Sequence, residues 1–205
     1  MKGLLLNAVD ALRKAGVDLR EGWPKGFKPQ EAWDTYVRLL AAIVGPSMPV
    51  ETIHIIRQSI GSPSGHYAKA WIEGMELTHQ KWGALTATRL RSRALWQDYF
   101  RSHDAFLMPV NIIPAFPHDH KLTFFERTVP TPEGKRLYAD MLQWITAPTL
   151  TGCPASGAPI GKTSDNLPVG IQIMGPYLED ATPIDLAGRI GELLGGYEPP
   201  PGFSS

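Results

Sequence analysis

A single cysteine, Cys153, stands in the 205 residues. No internal disulfide can form, which fits a reducing cytoplasm. Net charge is missing too: 20 Lys and Arg balance 20 Asp and Glu, so the sequence carries no electrostatic footprint for nucleic acid or an anionic membrane. No apolar run approaches the ~20 residues of a membrane span. The opening "MKGLLLNAV" lacks both the length of a signal h-region and a small-residue cleavage site. H-E-x-x-H and C-x-x-C are absent, which removes the compact zinc signatures. In their place stand 20 glycines and 19 prolines, gathered in 22–29, 45–65, 109–117 and 148–170. These read as long structured loops of an α/β enzyme. At 43% hydrophobic residues the chain has enough apolar material for one domain with a core.

Periodicity supplies the elements. Leu4, Leu5, Ala8, Val9 and Leu12 recur at helical spacing, with Gly16 placed to end the helix. "VDLREGW" alternates apolar and polar residues and predicts a short strand. Pro29 opens a second helix, with Trp33, Tyr36, Val37 and Leu40 on one face and Gly45-Pro46 as its stop. Residues 50–58 predict another helix and 60–69 a flexible loop. A long helical pattern follows from 74 to 102, on which Lys81, Arg89, Arg91 and Arg93 read as a solvated face. Residues 104–110 predict a buried strand and 133–147 a helix. "PASGAPIG" and "LPVGIQIMGP" read as two strands joined by a turn at Asp165-Asn166, residues that tolerate positive φ. A last helix has Thr182 as N-cap, Pro183 at its first position, Ile184, Ala187, Ile190 and Leu194 as its apolar stripe, and Gly195 at its end.

The chemical signals fail one by one. Gly161-Lys162-Thr163 looks like the end of a Walker A loop, but Ser156 stands where its first glycine belongs. Pro159 removes an N–H from the supposed cradle, and a turn and strand follow where a helix is required. His118 and His120 would point the same way in an extended segment, yet no third ligand is specified, so they read as hydrogen-bonded loop histidines. Cys153 could be imagined as a nucleophile with a histidine, but between glycine and proline it reads as a small packed residue. In "IGSPSGHYAK", Pro63 occupies the centre of a would-be nucleophile elbow, and Ser64 and Lys69 miss the S-x-x-K spacing. No self-contained catalytic constellation emerges.

The stretch "TGCPASGAPIGKTSDNLPVGIQIMGPYLED" resembles the C-terminal signature of the amidase signature family. The matching positions are Gly152, Pro154, Ala155, Pro159, Gly161, Leu167, Pro168, Val169, Gly170, Gln172, Gly175 and Asp180. Upstream, "HDAFLMPVNIIPAFPHD" is similar to that family's "yDallmPt…pAf.hD" strand, and "ALRKAGVDLRE" to the helix and strand after its catalytic region. Asn166 replaces the usual glycine before L-P-V-G, a substitution the left-handed turn accepts.

The resemblance implies a partial amidase signature fold, an α/β chain with a mixed β-sheet flanked by helices. It implies one domain over 1–205, with 25–95 a variable helical insertion and 96–203 the core segment. The family hydrolyses amides to acid plus ammonia or amine with a Ser–cis-Ser–Lys triad, without metal or organic cofactor. Neither G-G-S-S-[GA]-G nor its lysine is recognisable here, so no catalytic residue is assigned and the chain reads as a C-terminal portion. The bend Thr151-Gly152-Cys153 is expected to form part of the acyl-side pocket wall, with Phe116 and Trp144 as further walls. Gln172 is expected to be a buried structural amide. The expected partners are a small-molecule amide and either a missing N-terminal half or a second copy, met through exposed apolar surface. The rival readings are a non-catalytic binding module on the same scaffold, a Cys153 hydrolase, and a fragment of an amidotransferase A-type subunit.

Overall fold

The computed structural model describes residues 1–119, 124–200 and 202–203. Its organising element is a three-stranded antiparallel sheet of β1 (Phe106–Pro109), β4 (Ala155–Lys162) and β5 (Pro168–Met174), in the order β1-β5-β4. The two signature strands are thus one hairpin with β5 central. Asn166 takes φ 60 in its turn, the left-handed geometry its side chain tolerates. A bulge interrupts β4 between Pro159 and Gly161; Pro159 has no N–H to donate, and Gly161 adopts φ 130. A Cβ on Gly161 would lie 3.1 Å from Leu4 Cδ2, so the glycine lets the first helix approach the sheet.

Strand alternation divides the core. Val169, Ile171 and Ile173, with Leu107, Ala158 and Ile160, face α1 (Lys2–Lys14) and α7 (Ala181–Leu194). Met174 and Met108 point the other way, into a larger cluster built by α2 (Pro29–Val44), α4 (Gly65–Met75), α5 (His79–Tyr99) and α6 (Thr146–Thr151). Each fully buried side chain of this size contributes roughly 1.5–3 kcal/mol. The short helix α3 (Val50–Gln58) packs beside α4. The expected sheet flanked by helices is therefore present, and all three ladders among the described residues are antiparallel.

Several local expectations are corrected. Residues 17–22 are not a strand; their alternation finds no ladder partner among the described residues, and Val17 is exposed. The long helix from 74 is two helices, because Thr78 turns extended and its hydroxyl caps α5 by accepting from Lys81 N at 3.3 Å. The supposed loop 60–69 holds the start of α4, with Ser64 buried and its hydroxyl donating to Phe125 O. Residues 133–147 are no single helix. They contribute β3 (Gly134–Leu137), paired with β2 (Thr128–Thr131), then a 3₁₀ turn over Tyr138–Leu142 and the start of α6. The last helix starts at Ala181 with Asp180 before it, putting Pro183 third; a proline is tolerated there because the first four helical N–H groups lack intrahelical partners anyway. Ile184 points out, and Leu186 takes its place against the sheet.

Candidate functional site

The signature bend is built by a short helix and a glycine. α6 carries its apolar face into the larger cluster through Ala147 and Leu150. It ends at Gly152, which takes φ 72 and ψ 19, a left-handed stop that sends the chain into β4. Thr151 is fully buried; its hydroxyl donates back to Ala147 O at 2.7 Å. Its carbonyl accepts Arg93 Nε at 2.6 Å, so a cation from α5 caps the negative end of α6. The same guanidinium lies 4.1 Å from the centroid of the Tyr177 ring. A Cβ on Gly152 would meet Arg93 Nη2 at 3.0 Å and Tyr177 at 3.4 Å. Arg93 was expected on a solvated face; it turns inward instead, while Arg91 stays exposed and donates to Thr88 Oγ1.

Cys153 sits beneath this clamp, buried, and burial pushes its thiol up despite opposing contributions from Thr151 and the Arg93 charge. A thiol held protonated is a poor nucleophile, which removes the support for a Cys153 hydrolase. Thiol-specific labelling at pH 8 is expected to follow unfolding and to stay far slower than for a free cysteine. Labelling of the native chain at the free-thiol rate would overturn this. Above pH ~8.5 the unfolded chain releases this proton first, so the contribution of Cys153 to stability falls as pH rises.

The other two expected wall residues lie elsewhere. Trp144 follows the 3₁₀ turn; its carbonyl accepts Gln172 Nε2 at 3.4 Å, which gives the buried amide of β5 its expected partner. Its ring stacks on Trp23 at 6.2 Å with 13° between planes, beside a cavity of about 160 Å³. Phe116 packs edge-on against Tyr138 at 6.1 Å and lines a different cavity of about 590 Å³ with Pro114, Pro130 and Leu167. The bend, Trp144 and Phe116 therefore do not line one common cavity. Arg93 and Tyr177 are the residues that sequence reasoning missed here. Among the described residues no group of three His, Cys, Asp or Glu is placed to hold a metal; His120 lies outside them.

The Arg93 clamp thus holds a Gly-Cys-Pro bend that leads into a proline-interrupted hairpin. The chain belongs to the Amidase family, whose sequence profile matches residues 1–183. It is similar to the A-type subunit of the Glutamyl-tRNA(Gln) amidotransferase of Thermus thermophilus, 36% identical over 99 residues, covering 48% of this chain and 18% of that protein. A Fatty acid amide hydrolase of Arabidopsis thaliana is 39% identical over 54 residues, 26% of this chain and 9% of the relative. Among solved structures, one described as a crystal structure of amidase superposes with a TM-score of 0.67 at 23% identity, covering 94% of this chain and 42% of the other. A 6-aminohexanoate cyclic dimer hydrolase bound to substrate gives 0.61 at 18%, covering 94% and 41%. The chain spans less than a quarter of these curated relatives' lengths and less than half of these solved structures.

Proposed function

We propose that the chain acts as the C-terminal portion of an amide hydrolase that converts a carboxylic amide and water to an acid and ammonia or an amine. The observation that carries this reading is the family match over residues 1–183. The hairpin β4–β5 supports it by putting the signature glycines and prolines at a bulge, a turn and a strand edge. In this reading residues 25–95 are the variable helical segment and 96–203 the core segment of one domain. The chain's own contribution is structural and steric. Arg93 holds the bend Thr151-Gly152-Cys153 as the acyl-side wall, while Trp144 and Phe116 wall two separate cavities, of which the Trp144 slot is the candidate for the rest of the substrate. In this reading the nucleophile and its lysine come from outside the 205 residues, the family's reaction calls for no cofactor or metal, and the balanced charge calls for no nucleic acid partner. A single cysteine with no internal disulfide accords with a reducing cytoplasm, and no helix among the described residues is long and apolar enough to cross a membrane.

The pure 205-residue chain is expected to release no ammonia from acetamide, hexanamide or glutamine above the buffer rate. Mixed with a separately expressed N-terminal half of an amidase relative that carries the serine and lysine motifs, it is expected to restore turnover. Turnover by the chain alone, abolished by a point substitution within it, would overturn the proposal. A second reading, a part of an amidotransferase A-type subunit, is favoured by the 36% identity to the Thermus thermophilus protein. Selective restoration of glutaminase activity in the mixing experiment would establish it over the first.

A further inference from the structure

An aromatic slot opens between the N-terminal end of α2 and the segment that leads into α6. Its walls are the rings of Trp23, Phe27, Trp33 and Trp144, and its volume is about 160 Å³. A dry apolar cavity of about 150 Å³ accepts one benzene ring, so the space is of the size of a single six-membered ring. No charged side chain lines it among the described residues; a charged occupant would lose its hydration without an opposite charge to meet. The inner hydroxyl, Thr146 Oγ1, already donates to Leu142 O at 3.1 Å. The two side-chain amides of the lining, Gln30 and Gln143, are exposed. Gln30 Nε2 donates to Asp34 at 3.1 Å and Gln143 Nε2 to Asp140 at 3.2 Å.

The slot is preorganised. Trp23 is 38% exposed, yet its ring is held by Phe106 at 5.1 Å, Phe27 at 5.3 Å and Trp144 at 6.2 Å. A large aromatic surface is thus presented to solvent with its rotamer already fixed, which lowers the ordering cost of binding. Trp33 is held on another side, edge-on to Tyr67 at 5.5 Å. Four aromatic side chains line the slot, and an aromatic occupant gains ring–ring contacts beyond simple area burial.

We propose that this slot binds a neutral, single-ring aromatic group, and that the ring is part of the amide substrate. The second clause rests on the amide-hydrolase reading; the first stands without it. The test uses the 205-residue chain with benzamide, cyclohexanecarboxamide and benzoate as probes, read by saturation-transfer NMR and titration. Benzamide is expected to bind through its ring protons. The non-planar amide and the anion should each bind about tenfold more weakly, from lost stacking and unpaired charge respectively. Trp144→Leu should lower benzamide affinity about tenfold. Gln30→Trp, at an exposed position on the mouth, should do the same and carries the test if Trp144→Leu does not fold. Absent benzamide binding, equal binding of all three probes, or wild-type binding by Gln30→Trp would overturn the slot. Benzamide binding without hydrolysis in the complemented enzyme, when acetamide is also untouched, would leave the slot standing and sink the amidase reading. Acetamide hydrolysis without benzamide binding would do the reverse.

Discussion

Trp96→Ala is expected to lower the unfolding free energy by about 3–5 kcal/mol, the range for deleting a fully buried large aromatic. Trp96 is 0% exposed. It sits at the centre of a ring cluster, with Phe106 at 5.0 Å, Phe27 at 5.3 Å, Tyr99 at 5.5 Å and Phe100 at 5.7 Å. These neighbours come from α5, β1 and the segment before α2, so the cavity left by alanine cannot be closed by one element moving. The loss is a large share of the ~5–15 kcal/mol that holds an ordinary domain together. Urea unfolding should show a lower midpoint with little change in slope. Trp96→Phe is the informative companion. The indole N–H has no hydrogen-bond partner among the described residues, so phenylalanine removes an unpaired buried donor while keeping a ring, and the loss should be well under half that of alanine. An alanine variant as stable as the parent would mean that this cluster is not the centre of the core.

Asp140→Ala comes second, with an expected loss of about 2–3 kcal/mol. Asp140 is buried and receives three donors: the Tyr67 hydroxyl, Arg136 Nε at 3.0 Å and Gln143 Nε2 at 3.2 Å. Burial first, and the Asp140 carboxylate second, push the Tyr67 phenol well above its usual range, so it remains a donor. Arg136 is 43% exposed, so solvent screens its share; the greater part of the loss comes from stranding the Tyr67 hydroxyl in the core. Tyr67→Phe should therefore cost less than Asp140→Ala, and the double variant little more than Asp140→Ala alone. Additive losses in that cycle would show that the two groups do not act together.

The parts of this fold that were legible in the sequence are those where backbone geometry selects the residue. Asn166, Gly161 and Pro159 announce a turn and a broken strand whatever surrounds them, and Gly195, at φ 101, announces a helix end. The parts that were not legible depend on partners far away in the chain. Residues 17–22 alternate like a strand but have nothing to pair with among the described residues. Leu137, Met141 and Trp144 are spaced like a helix, yet Gly134 opens a hairpin with 128–131 across a two-residue turn. The inward turn of Arg93 is invisible locally because its acceptor lies 58 residues away. Of the expected wall residues, Thr151, Gly152 and Cys153 were read from one contiguous motif. Trp144 and Phe116 lie outside that motif, and they belong to two different cavities.

The order β1-β5-β4 leaves the sheet with two unlike margins. The outer side of β4 is interrupted by Pro159 and its bulge, which spoil the regular row of donors and acceptors that strand addition needs. On the other side β1 has no bulge and no proline before Pro109, so the alternate residues whose N–H and C=O face outward form a regular edge. Open-ended fibres require two compatible margins per molecule, whereas a shared single margin gives a two-fold symmetric pair. Copies of this chain that meet through the sheet would therefore stop at two.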